Sequence, residues 1–577
     1  MILWSIVLLF SNYFFIYLNI RQLSYNGVFF LTLLSLFFSF NFLSWSLYKT
    51  WINQYTLDVK PLTWIDLSNN IYVYWDIKEN FFNNLVAFVM IFGALSVSFF
   101  VYFEMYYDKE GHNFIVILGF FIIFMLILIG SNNLIFFYLG WEGIALVSYF
   151  LVNFWSERVR SIKAVIKIFI ISKIGDFFII IFISFIIIFF GSVDFDSINS
   201  ISFLLINNKI VFGFLKFHLN EILGLFLLFG TCIKSAQYGF HIWLLEAMEA
   251  PLGASALMHS STLVISGVIL ILKLSIIIEL SVYSQLFMYI MGIFSALMGS
   301  FIACFQFELK MILAYSTISN MGYIFILLSV GAYYESTVVI LLHAFIKIYM
   351  FLIVGNIIYN NNGCQDIRWI GNSFKYSKFL WVNYIIGGLC LIGLPYFSGY
   401  YYKNYLLNSL INNFLYLRGG EFILLFSYFF TIFYVFRIGY IVFLSSKAGH
   451  KNVYKIKKFS LFFITSFIFL STYIYLFHFF WINLIYLNIL NLIDSKIFSS
   501  IRINSFFFFD LTYLSSYLWV IIYVYIFIVL YVAFYLTLTK EWYCLSYTNY
   551  LHIFFTIFLL FYLVKCIVIN YIFFYIN

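Results

Sequence analysis

The chain has 577 residues, 64% of them hydrophobic and 9% charged, with three prolines and a mean hydropathy of +1.02. This composition excludes a soluble globular domain and describes a polytopic membrane protein. The formal net charge of +8 reads as membrane topology, not as a nucleic-acid surface.

A bilayer admits only helices or closed barrels, and these apolar runs are too long and continuous for barrel strands. A spanning helix needs ~20 apolar residues. About sixteen candidate spans follow by the hydropathy rule. They lie near residues 2–20, 27–48, 84–103, 113–129, 132–153, 162–190, 221–240, 252–279, 284–305, 311–331, 335–359, 379–402, 421–445, 459–480, 515–537 and 549–572. The first lacks a basic leader and a small-residue cleavage site and reads as a retained span. Between the second and third, DLSNNIYVYWDIKEN alternates like a strand pair around Ser68, Asn69 and Asn70, which predicts an exterior hairpin within 49–82. Loops after odd-numbered spans hold about fifteen Lys and Arg against about nine in the others, which places the odd loops inside and both termini outside. That majority rests on the run from Lys447 to Lys458.

From 130 to 405 polar groups recur inside apolar spans, in two blocks. One runs from Glu142 through Lys234, the other from the 311–331 span through Lys347 to Lys403. Interrupted helices of transporters carry their sites. The interruptions here are KSAQYGFHIWLLEAMEAP, with Gly239 and Pro251, and IGLPYFSGYYYK, with Pro395. Beyond 406 embedded charge is sparse. Arg437 is an exception and reads as a cation on a helix C-terminus or a headgroup.

The six cysteines form no CxxC pair, which argues against zinc or iron–sulfur ligation. Neither GxGxxG nor GxxxxGK[ST] occurs, so nucleotide binding has no support. Aromatics make up 24% of the chain, with 79 phenylalanines and 48 tyrosines. Phe, Ile, Tyr, Asn and Lys have AT-rich codons, which points to an AT-biased organelle genome.

An ionisable group at mid-bilayer costs about 2.5–3.5 kcal/mol on insertion scales, so it pairs, lines a water path or moves a proton. A desolvated lysine holds its proton weakly, and a nearby carboxylate strengthens the hold. At about 4 Å and an effective dielectric of ~20 such a pair is worth ~4 kcal/mol. Moving a proton against ~150 mV costs about 3.5 kcal/mol, so making and breaking one pair has the size needed to drive one proton. Alternatives stand beside this reading. His259 and His343 could be helix–helix contacts, and Lys403, near a span end, could reach water. Asp176 could neutralise Lys173 at i, i+3, and Glu308 with Lys310 could be interfacial.

LGWEGIALVSYFLVNFW, KSAQYGFHIWLLEAMEAP, SALMHSSTLVISGV, LAYSTISNMGY, HAFIKIYMFLIVGNIIY, QDIRWIG and GLPYFSGYYYKNYL occur in this order. Together they resemble the antiporter-like subunits of respiratory complex I, the proton-translocating NADH:ubiquinone oxidoreductase, and among them subunit 5. The resemblance covers about residues 55–440. It implies an all-α antiporter-like fold with two inverted five-helix repeats and broken helices. The implied divisions are 1–110, N-terminal spans with the hairpin; 111–279 and 280–445, two half-channel repeats; and 446–577, divergent C-terminal spans.

The resemblance also implies roles. Glu142 pairs with Lys234 of the first broken helix, His259 bridges the two halves, and Lys347 is the central lysine with His343 one turn before it. Lys403 is the lysine of the second broken helix. Asp176, beside Lys173, and Glu308 match further acidic positions. The implied function is proton translocation by a subunit that carries no cofactor of its own. FMN, iron–sulfur clusters and quinone belong to partner subunits, an antiporter-like neighbour is adjacent, and the site is the mitochondrial inner membrane. The other readings are a stand-alone cation/proton antiporter subunit and another antiporter-like subunit of the complex.

The chain departs from the family in three places. The usual WLPDAMEGPTP is WLLEAMEAPLG here, with Leu245 and Gly253 in place of the first and third prolines, so the helix bends less or breaks at Gly239. Asn404 follows Lys403 where an acid is usual. A lateral helix of ~40 residues (~60 Å) has no room between the last two spans, so it is truncated, formed by 538–577, or supplied by another chain.

Overall fold

The computed structural model describes residues 1–445 apart from 54–55, 67–71, 205–207, 213–214, 372, 374–377, 395–396, 401–402, 405 and 408–419. The chain divides into compact units Met1–Phe506 and Phe507–Asn577, and every described residue lies in the first. The expected spans beyond 445 and the lateral helix lie outside the described residues.

Helix lies within each of the first thirteen expected spans, though it covers only part of 221–240 and 379–402. The helices are α1 (Ile2–Leu18), α2 (Tyr25–Asn53), α3 (Phe81–Glu104), α4 (Gly111–Gly130), α5 (Leu134–Val152) and α6 (Val159–Phe190). After α7 (Phe195–Leu204) come α8 (Leu219–Lys234), the short α9 (Ile242–Glu246) and α10 (Leu252–Leu257). There follow α11 (Leu263–Lys273), α12 (Ser275–Glu279), α13 (Val282–Ala303), α14 (Leu309–Ser329), α15 (Tyr333–Asn360), α16 (Lys378–Ile392) and α17 (Gly420–Ile438). Among the described residues ten helical stretches are long and apolar enough to cross a membrane, and α15 is buried over its whole apolar window. Its sequence is apolar on all sides, as a helix enclosed by others requires.

The expected hairpin is two nested antiparallel pairs. Leu57–Val59 pairs with Ile77–Glu79, and Thr63–Asp66 with Tyr72–Tyr74. It is tied to the loops after α4 and α6. Lys60 bridges Asp76 (3.6 Å) and Asp194 (3.8 Å), Lys78 pairs with Asp196, and Asn132 donates to Asp76 at 2.9 Å. A third pair, Lys209–Phe212 with Leu215–His218, precedes α8 and was not expected from the sequence.

Asparagines start two spans. Asn80 accepts from the Asn83 amide (2.8 Å) and Asn133 from the Phe136 amide (2.7 Å), satisfying first-turn donors. Small residues set the closest packing. A Cβ on Gly322 would stand 2.6 Å from the Ala296 nitrogen, and one on Gly299 2.8 Å from the Ser319 nitrogen. The backbones of α13 and α14 therefore approach as small residues permit in lipid.

The span expected over 252–279 is not one regular helix. A π-turn, Met258–Thr262, joins α10 to α11, and Leu274 separates α11 from α12. Such turns widen a helix locally and are frequent at functional sites.

Candidate functional site

The first cluster joins α5, α6 and α8. Glu142 lies mid-way along α5 and accepts from the Tyr138 hydroxyl at 2.5 Å. Its ion-pair partner is Lys173 of α6, which also reaches Asp176 at 3.2 Å, one turn on. Asp176 is buried and accepts from the Trp141 indole at 2.8 Å. Lys234, the last residue of α8, is buried; its ammonium lies 3.4 Å from the Trp141 carbonyl and 4.8 Å over the Trp141 ring.

Among the described residues no ion pair joins Lys234 to Glu142, so the expected pair, direct or water-bridged, is not made by direct contact. The carboxylate turns to Lys173, while Lys234 meets the residue before it. The two charges still act on each other through space. Asp176 does neutralise Lys173, but it also fixes Trp141, the hub that sequence reasoning quoted without assigning a role.

The break after Lys234 starts at once. Ala236 (φ 53°) and Gly239 (φ 101°) both take left-handed conformations before α9. The expected break at Gly239 is thus real but wider. The Trp243 indole donates to the Ile233 carbonyl at 2.7 Å and ties α9 back to the end of α8. Buried Gln237 accepts from the Ser295 hydroxyl at 2.6 Å. After a 3₁₀ turn, Ala247–Glu249, Pro251 stands as the cap of α10.

His259 is buried in the π-turn with its ring 6.4 Å from that of Phe351 on α15. The Ala247 carbonyl lies beside it, but no hydrogen bond of good geometry ends on either ring nitrogen. His343 is also buried, and neither ring nitrogen has a partner among the described residues. One turn on, Lys347 is 0% exposed and donates to the Ser316 hydroxyl of α14. Lys403 is buried and donates to the Ile392 carbonyl (2.9 Å), which ends α16, and to Thr431 of α17 (3.1 Å), with the Tyr428 ring 4.7 Å away. Gly393 (φ 83°) opens this second interruption, and Pro395 lies outside the described residues.

Glu308 is not on this axis. It is exposed, just before α14, with its backbone bridged to Asp366, because the helix begins one residue later. Lys310, read with it as interfacial, is instead buried and donates to the carbonyls of Met248 (3.1 Å) and Ala250 (2.9 Å). Sequence reasoning also missed Glu104, which accepts from two amides of α10, and Lys273, which bonds the carbonyls of Ile129 and Ser131 at the end of α4. Arg437 binds the carbonyls of Cys304 (2.5 Å) and Gln306 (2.7 Å) after α13, the helix-end role expected of it. Among the described residues no cluster of His, Cys, Asp or Glu could hold a metal.

The arrangement therefore holds three buried lysines, Lys234, Lys347 and Lys403, against neutral oxygens and aromatic faces. Two imidazoles with open nitrogens lie among the same helices. Such groups can take up and release protons where water reaches them.

The transmembrane family described as NADH:quinone oxidoreductase/Mrp antiporter matches residues 131–431. NADH-ubiquinone oxidoreductase chain 5 of Paramecium tetraurelia is 34% identical over 439 residues, covering 75% of this chain and 75% of that protein. NADH-quinone oxidoreductase subunit L of Rickettsia typhi is 33% identical over 353 residues, covering 61% of this chain but 53% of that protein. A chain of the Mrp complex from Dietzia sp. shares the fold, with a TM-score of 0.70 at 16% identity, over 82% of this chain and 50% of that one. The chain belongs to the NADH:quinone oxidoreductase/Mrp antiporter family of membrane proteins.

Proposed function

We propose that this chain is a proton-translocating, antiporter-like membrane-arm subunit of respiratory complex I. The observation that carries the reading is the row of lysines buried in membrane helices with no ion-pair partner among the described residues. Lys234 and Lys403 stand at helix interruptions and Lys347 mid-helix beside His343. A permanent charge there is costly, whereas a group that alternates between charged and neutral forms exploits the low dielectric. Among the described residues the Glu142–Lys173–Asp176 network is the one place on the row where carboxylates stand close by. A change in its pairing alters the field on Lys234, and with it whether that lysine holds a proton. His259 and His343 suit a relay, since imidazole changes charge near neutral pH.

Redox chemistry belongs in this reading to partner subunits that hold FMN, iron–sulfur clusters and quinone. The setting is the mitochondrial inner membrane, the loops after odd-numbered spans face inward, and the chain is organelle-encoded. One feature supports an adjacent membrane subunit. The ion pair of Glu142 and Lys173 is 29% and 39% exposed, mid-way along its helices. Facing hydrocarbon, such a pair would be poorly solvated, so protein covers it.

The test is the native mass of the detergent-extracted assembly, with its NADH:quinone activity and its proton uptake in vesicles. The expected result is a very large assembly that contains this chain and couples the two. A stable isolated chain that exchanges cations without partners would establish the stand-alone antiporter reading instead.

A further inference from the structure

We propose that Glu104 and Lys310 form a two-sided clamp on the Pro251 junction, positioning the broken helix of Lys234 against the helix of His259 for proton transfer. The inference rests on the relay proposed above. Glu104 is the last residue of α3. One carboxylate oxygen accepts the Leu252 amide at 2.6 Å and the other accepts the Gly253 amide at 2.8 Å. These are first-turn donors of α10, which have no partner within their own helix. On the other side of Pro251, Lys310 donates to the carbonyls of Met248 and Ala250, at the end of the 3₁₀ turn. Each backbone polarity flanking Pro251 thus meets a full side-chain charge of opposite sign, and the two side chains attract each other.

Neither charge suits its own helix. An acid ending α3 and a base starting α14 both oppose the dipole of the helix that carries them. Their common target accounts for both. Gly253 is an independent sign of the same device. A proline there, as in the usual family pattern, has no amide hydrogen to give Glu104. A Cβ at Gly253 would also stand 2.3 Å from Val101 Cγ2 and 3.2 Å from a Glu104 oxygen. Gly253 keeps the amide hydrogen that Glu104 accepts and leaves room for its carboxylate. The clasped turn adjoins the relay, because the Ala247 carbonyl at its start lies beside the buried His259 ring and Lys310 acts on that ring through space.

Glu104 and Lys310 are therefore positioning residues. The test uses the intact complex, with proton translocation rate expressed per assembled complex. In Glu104→Gln the amide nitrogen must face one of the two backbone donors. Leu252→Pro removes one donor at a helix position where proline fits. Glu104→Gln is expected to slow translocation about tenfold, the scale of a lost charge-assisted hydrogen bond. Adding Leu252→Pro to Glu104→Gln should restore most of the rate. A merely structural role would change the amount assembled, not the rate per complex, and would show no such rescue. An unchanged rate in Glu104→Gln, with Lys347→Met inactive, overturns the clamp and leaves the relay standing. Normal pumping by Lys347→Met sinks the relay itself. Should Glu104→Gln fail to assemble, Leu252→Pro alone decides. It loses one of the two bonds and should slow translocation part-way; no loss overturns the proposal.

Discussion

Partner atoms and place along the helix together set three cations of this protein apart from Lys347. Lys273, Lys310 and Arg437 bond backbone carbonyls at the ends of neighbouring helices, where orphan acceptors need donors. Lys347 instead lies mid-helix against a single hydroxyl. Those three hold helix ends together, whereas Lys347 serves no such carbonyl and can change its charge. Lys347→Met is expected to abolish most proton translocation and, through coupling, much NADH:quinone turnover, while assembly persists; native gels and vesicle assays read both. Lys347→Arg should fail as well, because guanidinium stays charged at any accessible pH. Lys273→Met should do the opposite. It leaves carbonyls unsatisfied, at a cost of about 1–3 kcal/mol, and lowers thermal stability without slowing translocation per complex. Lys234 and Lys347 were legible in the sequence because charge in mid-span is rare. Glu104 and Lys310 were not, because a charge at a span end looks the same whether it meets water or a neighbouring helix.

At the scale of elements, periodicity and length located the helices, and their interruptions were harder to read. The sequence pointed to Gly239, Pro251 and Pro395, but the first break opens earlier, at Ala236 in a left-handed conformation, and no local signal marks that residue for the role. The π-turn carrying His259 also has no sequence signature, since its residues are ordinary helix and loop formers. Asparagine caps open two of the spans. Asn133→Ala should cost about 1 kcal/mol, read as a lower unfolding temperature of the detergent-solubilised assembly. The hairpin carries a pH dependence. Burial pushes the Asp76 carboxyl up, partly offset by its hydrogen bond from Asn132 and by Lys60. Because the folded value lies above the unfolded one, protonated Asp76 favours the fold in acid. That contribution is lost as pH rises through the folded value. Asp76→Asn should flatten this dependence and stabilise the hairpin at neutral pH; an unchanged stability–pH profile would count against it.

For the whole molecule, the half-exposed charges on α5 and α6 imply a covered face. Leu146 and Ile170 are also exposed and lie one turn or less from Glu142 and Lys173 on the same sides of their helices. Leu146→Cys and Ile170→Cys should be shielded from a membrane-permeant maleimide in the intact complex and react once the chain is separated by detergent. Equal labelling in both states would mean that the face meets lipid and that no neighbouring subunit covers it.

The membrane class, the first thirteen spans and the lysines of the row could be read from the sequence alone. Hydropathy is a local property, and a charge inside an apolar run stands out against it. The partner of each charge was decided only by tertiary structure. Glu142 is drawn to Lys173 because α5 and α6 pack with those positions facing, while Lys234 ends against the Trp141 carbonyl. Spacing along one chain cannot say which of several cations a carboxylate will meet. That depends on the rotation and approach of separate helices, set by small residues and helix-end contacts far apart in sequence.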